Sequence, residues 1–339
     1  MDLTETTDDN ARTASASIPF EFRGEGQEYF KIWNVNLSLT IITLGVYSAW
    51  AKVRRLQYFY SNVYLSGESF RYLAEPIQIL KGRLIAVPIF IIYIVGAELY
   101  PAAGLLMAIL LLAATPYLVI RSLVFSLGMT SYKNVRFRFG ASQKEAFMAV
   151  LVWPVLGLLT LGLLLPLSVL KGHQFMVRNS AFGTTSFNYE TSAWAYGRIY
   201  LAFLAILFLT GVISGGFSLL FAPASLITAG LGYLIAFGYL TVKITNLYYP
   251  SAGLGDHGFE ADLELSEYLE IFVSNTLFIV MTLGLYLPFA QVRMAKYKAA
   301  HIKFLPRGPI SDFVATEQGQ ANALGEEMGE VFDFDIGGV

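Results

Sequence analysis

Three histidines, His173, His257 and His301, are the residues of this chain best suited to metal or proton chemistry, yet none has a second histidine at helical ligand spacing. Zinc bound in the metalloprotease manner is therefore not expected, and the absence of cysteine removes thiolate metal sites and disulfides. Asp256-His257-Gly258, followed by Glu260 and Asp262, offers oxygen ligands for a cation, although a plain acidic loop is the favoured reading. The glycines between Gly211 and Gly216 lack the Lys-Ser/Thr ending of a phosphate loop and suit close helix packing instead. No nucleophile elbow or paired-carboxylate pattern occurs, so no catalytic residue, metal site or cofactor is expected and the chain reads as non-enzymatic.

The charged residues that do stand out recur. A block starting at Phe20, Phe137 and Phe259 carries a Glu eight positions on (Glu28, Glu145, Glu267), a Thr-Leu-Gly at plus 23 (Thr43, Thr160, Thr282) and a cation at plus 34 (Arg54, Lys171, Arg293). A gate or coupling pair is one reading of these charges; interfacial anchors at helix ends is the favoured one. Within the apolar stretch between them lie Asn34, Asn36 and Thr40 in the first block and Ser274, Asn275 and Thr276 in the last. Polar groups in such a stretch are costly to bury. They suit either a polar lining between repeats or interhelical hydrogen bonds, of which the second is favoured.

The elements that must position these residues are apolar. The chain is 55% hydrophobic and 14% charged, against roughly 25% charged in soluble domains, and its net charge of −2 gives no general attraction to nucleic acid. Seven segments approach the ~20 helical residues that cross a bilayer, at 32–50, 84–97, 102–127, 147–170, 199–221, 224–247 and 269–291. The expected fold is an all-α polytopic membrane protein of about seven hydrophobic helices in a 3+3+1 internal repeat. Short β-strands at the membrane surface are expected from aromatic pairs such as Phe20/Phe22, Phe70/Tyr72, Phe137/Phe139 and Phe187/Tyr189. The divisions follow: a disordered tail over 1–17, repeats over 18–136 and 137–258, a truncated repeat over 259–305, and an acidic disordered tail over 306–339 whose last ten residues could dock.

Two topologies compete. If all seven segments span, odd parity inverts the second unit as in many secondary transporters. Lys and Arg then number 15 on one face and 5 on the other, which puts the N-terminus outside and the C-terminus in the cytoplasm. Alternatively, each repeat-opening segment folds back at Thr-Leu-Gly and only the two hairpins cross. Full spanning is favoured, because irregular backbone is not tolerated in lipid unless covered. Glu28 and Arg54 would stand roughly 39 Å apart on an unbroken helix and could meet only on a folded one.

The run from Glu28 to Trp33, the run from Thr43 to Arg55 (Thr-Leu-Gly-Val-Tyr-Ser-Ala-Trp-Ala-Lys-Val-Arg-Arg) and Ile79-Leu80-Lys81-Gly82-Arg83 resemble the YjgN-like bacterial inner-membrane family, a domain of unknown function. The likeness extends from about Ile18 to Lys303. It implies a multi-pass protein of the bacterial inner membrane without assigned activity, and the middle block departs most, with Leu164 and Leu167 where the first has Tyr47 and Trp50. The expected function is a transporter or channel for a small solute, ion or lipid; the alternative is a non-catalytic membrane scaffold or envelope-associated interaction protein. The lipid bilayer is the expected partner, with a homo-oligomer or a membrane-protein partner left open.

Overall fold

The computed structural model describes residues 17–310 and 312–320. The expected all-α architecture is corrected by its centre, a closed barrel of ten antiparallel strands. The strands are β1 (Ile18–Phe22), β2 (Val63–Leu65), β3 (Glu68–Tyr72), β4 (Thr130–Tyr132), β5 (Val135–Phe139), β6 (Ser180–Phe182), β7 (Thr185–Tyr189), β8 (Ala252–Leu254), β9 (His257–Ala261) and β10 (Ile302–Leu305). Each strand pairs with its sequence neighbours, and β10 returns to β1 with Ile18 opposite Phe304. Closure is what makes strands of three to five residues viable, since it leaves no edge unpaired.

Four two-residue turns close one end of the barrel. Ser66-Gly67 and Lys133-Asn134 have positive φ at both central positions, while Gly183-Thr184 and Gly255-Asp256 have it at the glycine alone. These are the turn geometries whose twist matches paired strands. The opposite end carries five helical hairpins, one between each pair of β-hairpins. Chain ends 17 and 306 both leave from the turn end, as the β1–β10 pairing requires.

Two of the hairpins are long: α3 (Pro76–Leu99) with α4 (Pro101–Gly128), and α8 (Ala193–Leu220) with α9 (Ala222–Tyr248). These four helices are long and apolar enough to cross a membrane, and no residue of α3 is buried within the protein. The expected seven spans are therefore corrected to four candidates. The other three hairpins are α1 (Gly26–Ile42) with α2 (Ser48–Ser61), the second-block helix with α7 (Leu165–Arg178), and α10 (Leu265–Met281) with α11 (Leu287–Ala300). The second-block helix runs as α5 (Gln143–Phe147), a π-helical stretch (Met148–Val152) and α6 (Trp153–Leu159). The 17 residues of α1 measure about 25 Å, short of a ~30 Å hydrocarbon core.

All three short hairpins reverse at Thr-Leu-Gly, and the turn explains the motif. The leucine sits at φ 49–51° and the glycine at φ 91–93°, the left-handed region that glycine enters without cost. The glycine N–H reaches back five residues, from Gly45 to Thr40 O at 2.8 Å, Gly162 to Gly157 O at 2.8 Å and Gly284 to Ile279 O at 2.7 Å. The threonine hydroxyl accepts from the amide four residues on, Tyr47, Leu164 or Tyr286, at 2.9, 3.1 and 3.0 Å. With the remaining turn bonds, all six amides from 43 to 48, from 160 to 165 and from 282 to 287 are satisfied. The objection to folding back was unsatisfied backbone in lipid, and this turn has no unbonded amide to desolvate. Hence the side chains at the tips can be wholly apolar: Leu44, Leu161 and Leu283 are 95%, 97% and 96% exposed.

The sequence reading set residues 306–339 apart as a tail. Residues 312–320 are helical (α12) and lie across the turn end of the barrel, with Ile310 and Val314 buried. The tail over 1–16 and the final ten residues lie outside the described residues.

Candidate functional site

The aromatic pairs of the sequence build the inside of the barrel. Phe20, Phe70, Phe137, Phe187 and Phe259 stand at one level of β1, β3, β5, β7 and β9, with successive rings stacked at 6.3, 6.3, 6.5 and 6.4 Å between centroids. Alternation sends the intervening Glu21, Arg71, Arg138 and Asn188 to the outer wall. Leu65, Tyr132, Phe182, Leu254 and Phe304 stand directly across from these phenylalanines in the strand register and complete the layer, with Val135 in the next layer toward the turns. Burial pushes the Tyr132 hydroxyl up to about 12, with the Glu68 carboxylate adding to the effect. It donates to Leu65 O at 2.7 Å, so a neutral ring rather than a free hydroxyl faces the interior.

Between these layers and the helices lies a cavity of about 460 Å³. At the helix-bearing end it is bordered by Leu123 and Leu127 of α4, Met176 of α7 and Tyr248 of α9; at the turn end by Ile310, Phe313 and Val314. Serine 126 and Ser180 are the lining residues with small polar side chains, and no charged side chain lines it. A chamber of this size and polarity suits the apolar part of a small molecule.

The turn end is closed by the C-terminal segment. Glu317, 2% exposed, accepts from Thr184 N and Thr185 Oγ1 at 2.5 Å and from Thr184 Oγ1 at 2.9 Å. Burial alone would push its carboxyl up, but the bonds from Thr185 and Thr184 together outweigh it and leave the pKa below the ordinary carboxylate value. Gln318 donates to Lys133 O at 2.5 Å, and Arg307 N–H donates to His257 Nδ1 at 3.0 Å. Three of the four β-turns are thus tied to one segment, whose Phe313 packs on Phe182 and His257. Sequence reasoning missed this plug. Its signal was present: Ile310, Phe313, Val314 and Glu317 share one helical face.

The residues singled out from sequence are dispersed around the helices rather than gathered at the lumen. Glu28, Glu145 and Glu267 are exposed in the first turns of their helices, where a carboxylate suits the positive end of the helix. Glu145 completes a capping box with Ser142, and Glu267 lies 3.4 Å from His301 Nε2. Arg54 lies over the Tyr47 ring, Lys171 donates to Gln174 Oε1 at 3.1 Å, and Arg293 donates to Ser274 Oγ at 2.8 Å. Among the described residues no ion pair joins Glu28 to Arg54, Glu145 to Lys171 or Glu267 to Arg293. Asn34 and Thr276 are exposed, and Thr40, Ser274 and Thr276 bond backbone carbonyls of their own helices. Asn36 and Asn275 are both 6% exposed; Asn275 Nδ2 donates to Ala290 O, whereas Asn36 Oδ1 has no partner among the described residues.

Tyrosines tie together the two helices of the first and last short hairpins at their barrel end. Tyr58 OH donates to Glu25 O and accepts from Glu25 N, both at 2.8 Å, and Tyr297 does the same with Glu264 at 2.8 and 3.0 Å. Each hydroxyl fastens the descending helix to the residue that starts the ascending one.

Over residues 17–331 the sequence matches the family described as "Bacterial protein of unknown function (DUF898)". The chain belongs to this family. Among its relatives is "Inner membrane protein YjgN" of Salmonella typhimurium (strain LT2), 36% identical over 148 residues, which are 42% of this chain and 37% of the relative. The proteins of the same name from Escherichia coli O157:H7 and Escherichia coli (strain K12) are 32% and 33% identical over 148 residues, 43% of this chain and 37% of theirs. The match thus spans little more than a third of the length of these relatives. No solved structure matches the chain. The YjgN-like resemblance carried by the Thr43–Arg55 motif is therefore correct, and in this DUF898 chain that motif is the tip and descending helix of the first short hairpin.

Proposed function

We propose that this protein is a lipid-handling module of the bacterial inner membrane, whose barrel takes a hydrocarbon chain from the bilayer and holds it in the lumen. The observation that carries the reading is the 460 Å³ apolar chamber, plugged at the turn end and bordered by α4, α7 and α9 at the end that faces the bilayer. A pore for ions or polar solutes has less support, because the lumen is lined by apolar side chains and its turn end is closed by the C-terminal segment. The protein is read as non-enzymatic. Filling the chamber tests the proposal. The purified full chain should carry acyl lipid in native mass spectrometry, and Ala252→Trp, at the chamber wall, should lower that occupancy at least tenfold. A lipid-free native chain, or unchanged occupancy in A252W, would sink it.

The charge distribution supports placing the barrel in the cytoplasm. Residues 84–120 and 199–242, the membrane-distal parts of the long hairpins, contain no Lys or Arg, so the cations of these four helices lie in their barrel-proximal parts. Residues 17 and 306 then share the cytoplasmic side. In the cysteine-free chain, a membrane-impermeant maleimide on intact cells should label cysteines placed at Tyr100 and Pro223 and spare those at Gly26, Ser180 and Gly308. Recurrence of one tip in three hairpins supports duplication of an ancestral unit.

A further inference from the structure

A second cavity, of about 290 Å³, lies on the barrel's outer wall over β5, β6 and β7. Two guanidinium groups border it, Arg138 on β5 and Arg178 at the end of α7. Asn179, Ser180, Thr184 and Ser186 add amide and hydroxyl groups, and no carboxylate lines it. Arg178 commits Nε and Nη2 to Tyr189 O at 3.2 and 2.7 Å, which leaves Nη1. Among the described residues Arg138 makes one hydrogen bond, to Gly183 O at 3.5 Å, the outer limit for such a bond. Neither arginine makes an ion pair among the described residues, although other cations of the wall do: Arg23 with Glu21 at 2.7 Å and Lys303 with Asp262 at 2.6 Å. Glu317 reaches the neighbouring Gly183-Thr184 turn, but its oxygens are engaged by Thr184 and Thr185.

Two uncompensated cations in one cleft repel each other unless an anion joins them. Guanidinium forks with free N–H groups match phosphate oxygens better than any other common anion of a membrane surface. The cleft also stands at the right height. Arg178 ends α7, which starts at Leu165 beside the tip, so the two are about 20 Å apart along the helix. One leaflet contributes about 15 Å of hydrocarbon. A tip at the bilayer midplane therefore puts Arg178 about 5 Å above the hydrocarbon, among the headgroups. Ser180, on the helix-bearing rim, borders this cleft and the lumen cavity alike.

We propose that the Arg138–Arg178 cleft is a phosphate site that holds the headgroup of an anionic phospholipid from the adjoining leaflet. It rests on the lumen reading for the lipid's chain and names the headgroup chemistry, so the test separates the two. The full chain in detergent is offered phosphatidylglycerol, diacylglycerol with the same chains, and inorganic phosphate, with native mass spectrometry as readout. Phosphatidylglycerol should be retained about tenfold better than diacylglycerol. Arg138→Gln and Arg178→Gln should each erase that preference and leave diacylglycerol retention unchanged. Arg138→Gln surrenders only the 3.5 Å contact, so its fold is the safer of the two. Equal retention of both lipids, indifferent to either substitution, overturns the cleft and leaves the lumen reading standing. Arginine-dependent retention that Ala252→Trp does not lower upholds the cleft and overturns the lumen. Full displacement of phosphatidylglycerol by millimolar inorganic phosphate would assign the site to free phosphate and overturn the lipid proposal.

Discussion

Removing the Glu317 carboxylate should unseat the C-terminal plug without unfolding the barrel. Its two oxygens take one amide and two hydroxyl donors of the Thr184–Thr185 turn, and the side chain is 2% exposed. Hydrogen bonds to a charged group contribute about 1.5–3 kcal/mol each and do not add fully, so Glu317→Ala should cost docking about 3 kcal/mol. That is more than a hundredfold in the population of the open segment. Val314, 4% exposed against the lumen, reports it directly, because the chain has no cysteine and Val314→Cys is then the single thiol. If labelling proceeds through local opening, the maleimide rate at this position should rise about a hundredfold in the Glu317→Ala background. Thermal unfolding of the barrel should hardly move, since ladder closure between β1 and β10 lies upstream of the plug. A rise below threefold would refute the assignment of Glu317 as the latch. A collapse of the barrel would refute its independence from the plug.

The same thiol reads out pH. His257 Nδ1 accepts from Arg307 N–H, so protonation there breaks a plug contact; burial holds the imidazole below 6.5, with Asp256 opposing. A lowered folded-state pKa means docking is complete above about 6.5 and weakens as pH falls below it. Val314→Cys labelling, expressed relative to a free thiol at the same pH because only the thiolate reacts, should accelerate between pH 7.5 and 5.5 and stay flat in His257→Gln, whereas the lowered carboxyl of Glu317 keeps its contribution until the pH drops below 4.5. At the tips, Thr282→Val removes the acceptor for Tyr286 N–H and should cost about 1 kcal/mol or more of stability in a calorimetric melt, with Thr282→Ser near native. Leu161→Asp, at a side chain with almost no packing to lose, should destabilise the protein in bilayer nanodiscs by about 3 kcal/mol; no effect would place the tip in water.

Much of this fold was visible in the sequence as parts and invisible as a whole. The aromatic alternation at Phe20/Phe22, Phe70/Tyr72, Phe137/Phe139 and Phe187/Tyr189 marks β1, β3, β5 and β7. Nothing local says that strands so short close on each other, because the deciding pair, Ile18 with Phe304, is 286 residues apart. The three bent segments were misread for a different reason. Stretches such as 32–50 meet the length test for a span, and that test assumes that a turn in lipid leaves amides unpaired. The threonine hydroxyl and the glycine's left-handed backbone remove that assumption, and both residues were in plain view as Thr-Leu-Gly. The candidate site was barely legible: its phenylalanines could be named, but the chamber exists only once five separate strands bring them to one level.

The architecture also says why a barrel and short hairpins belong together. A strand of three residues cannot hold a register alone, and here helical hairpins join successive β-hairpins, two of them pinned at the barrel end where Tyr58 and Tyr297 bind the backbone at Glu25 and Glu264. The helices in turn diverge from a ring of ten strands, so they cannot all pack on one another and must present apolar faces outward. The long hairpins, apolar enough to cross a bilayer, can resolve this there. Short ones resolve it only if their tips are free of unpaired backbone, which the Thr-Leu-Gly turn provides. A ring of diverging helices over a closed barrel leaves an apolar space at its centre that side chains from the rim do not fill. Water gains little there and hydrocarbon gains much. The chamber is therefore a geometric consequence of the fold, and on the proposed lipid-handling reading an acyl chain is the occupant that its apolar lining suits.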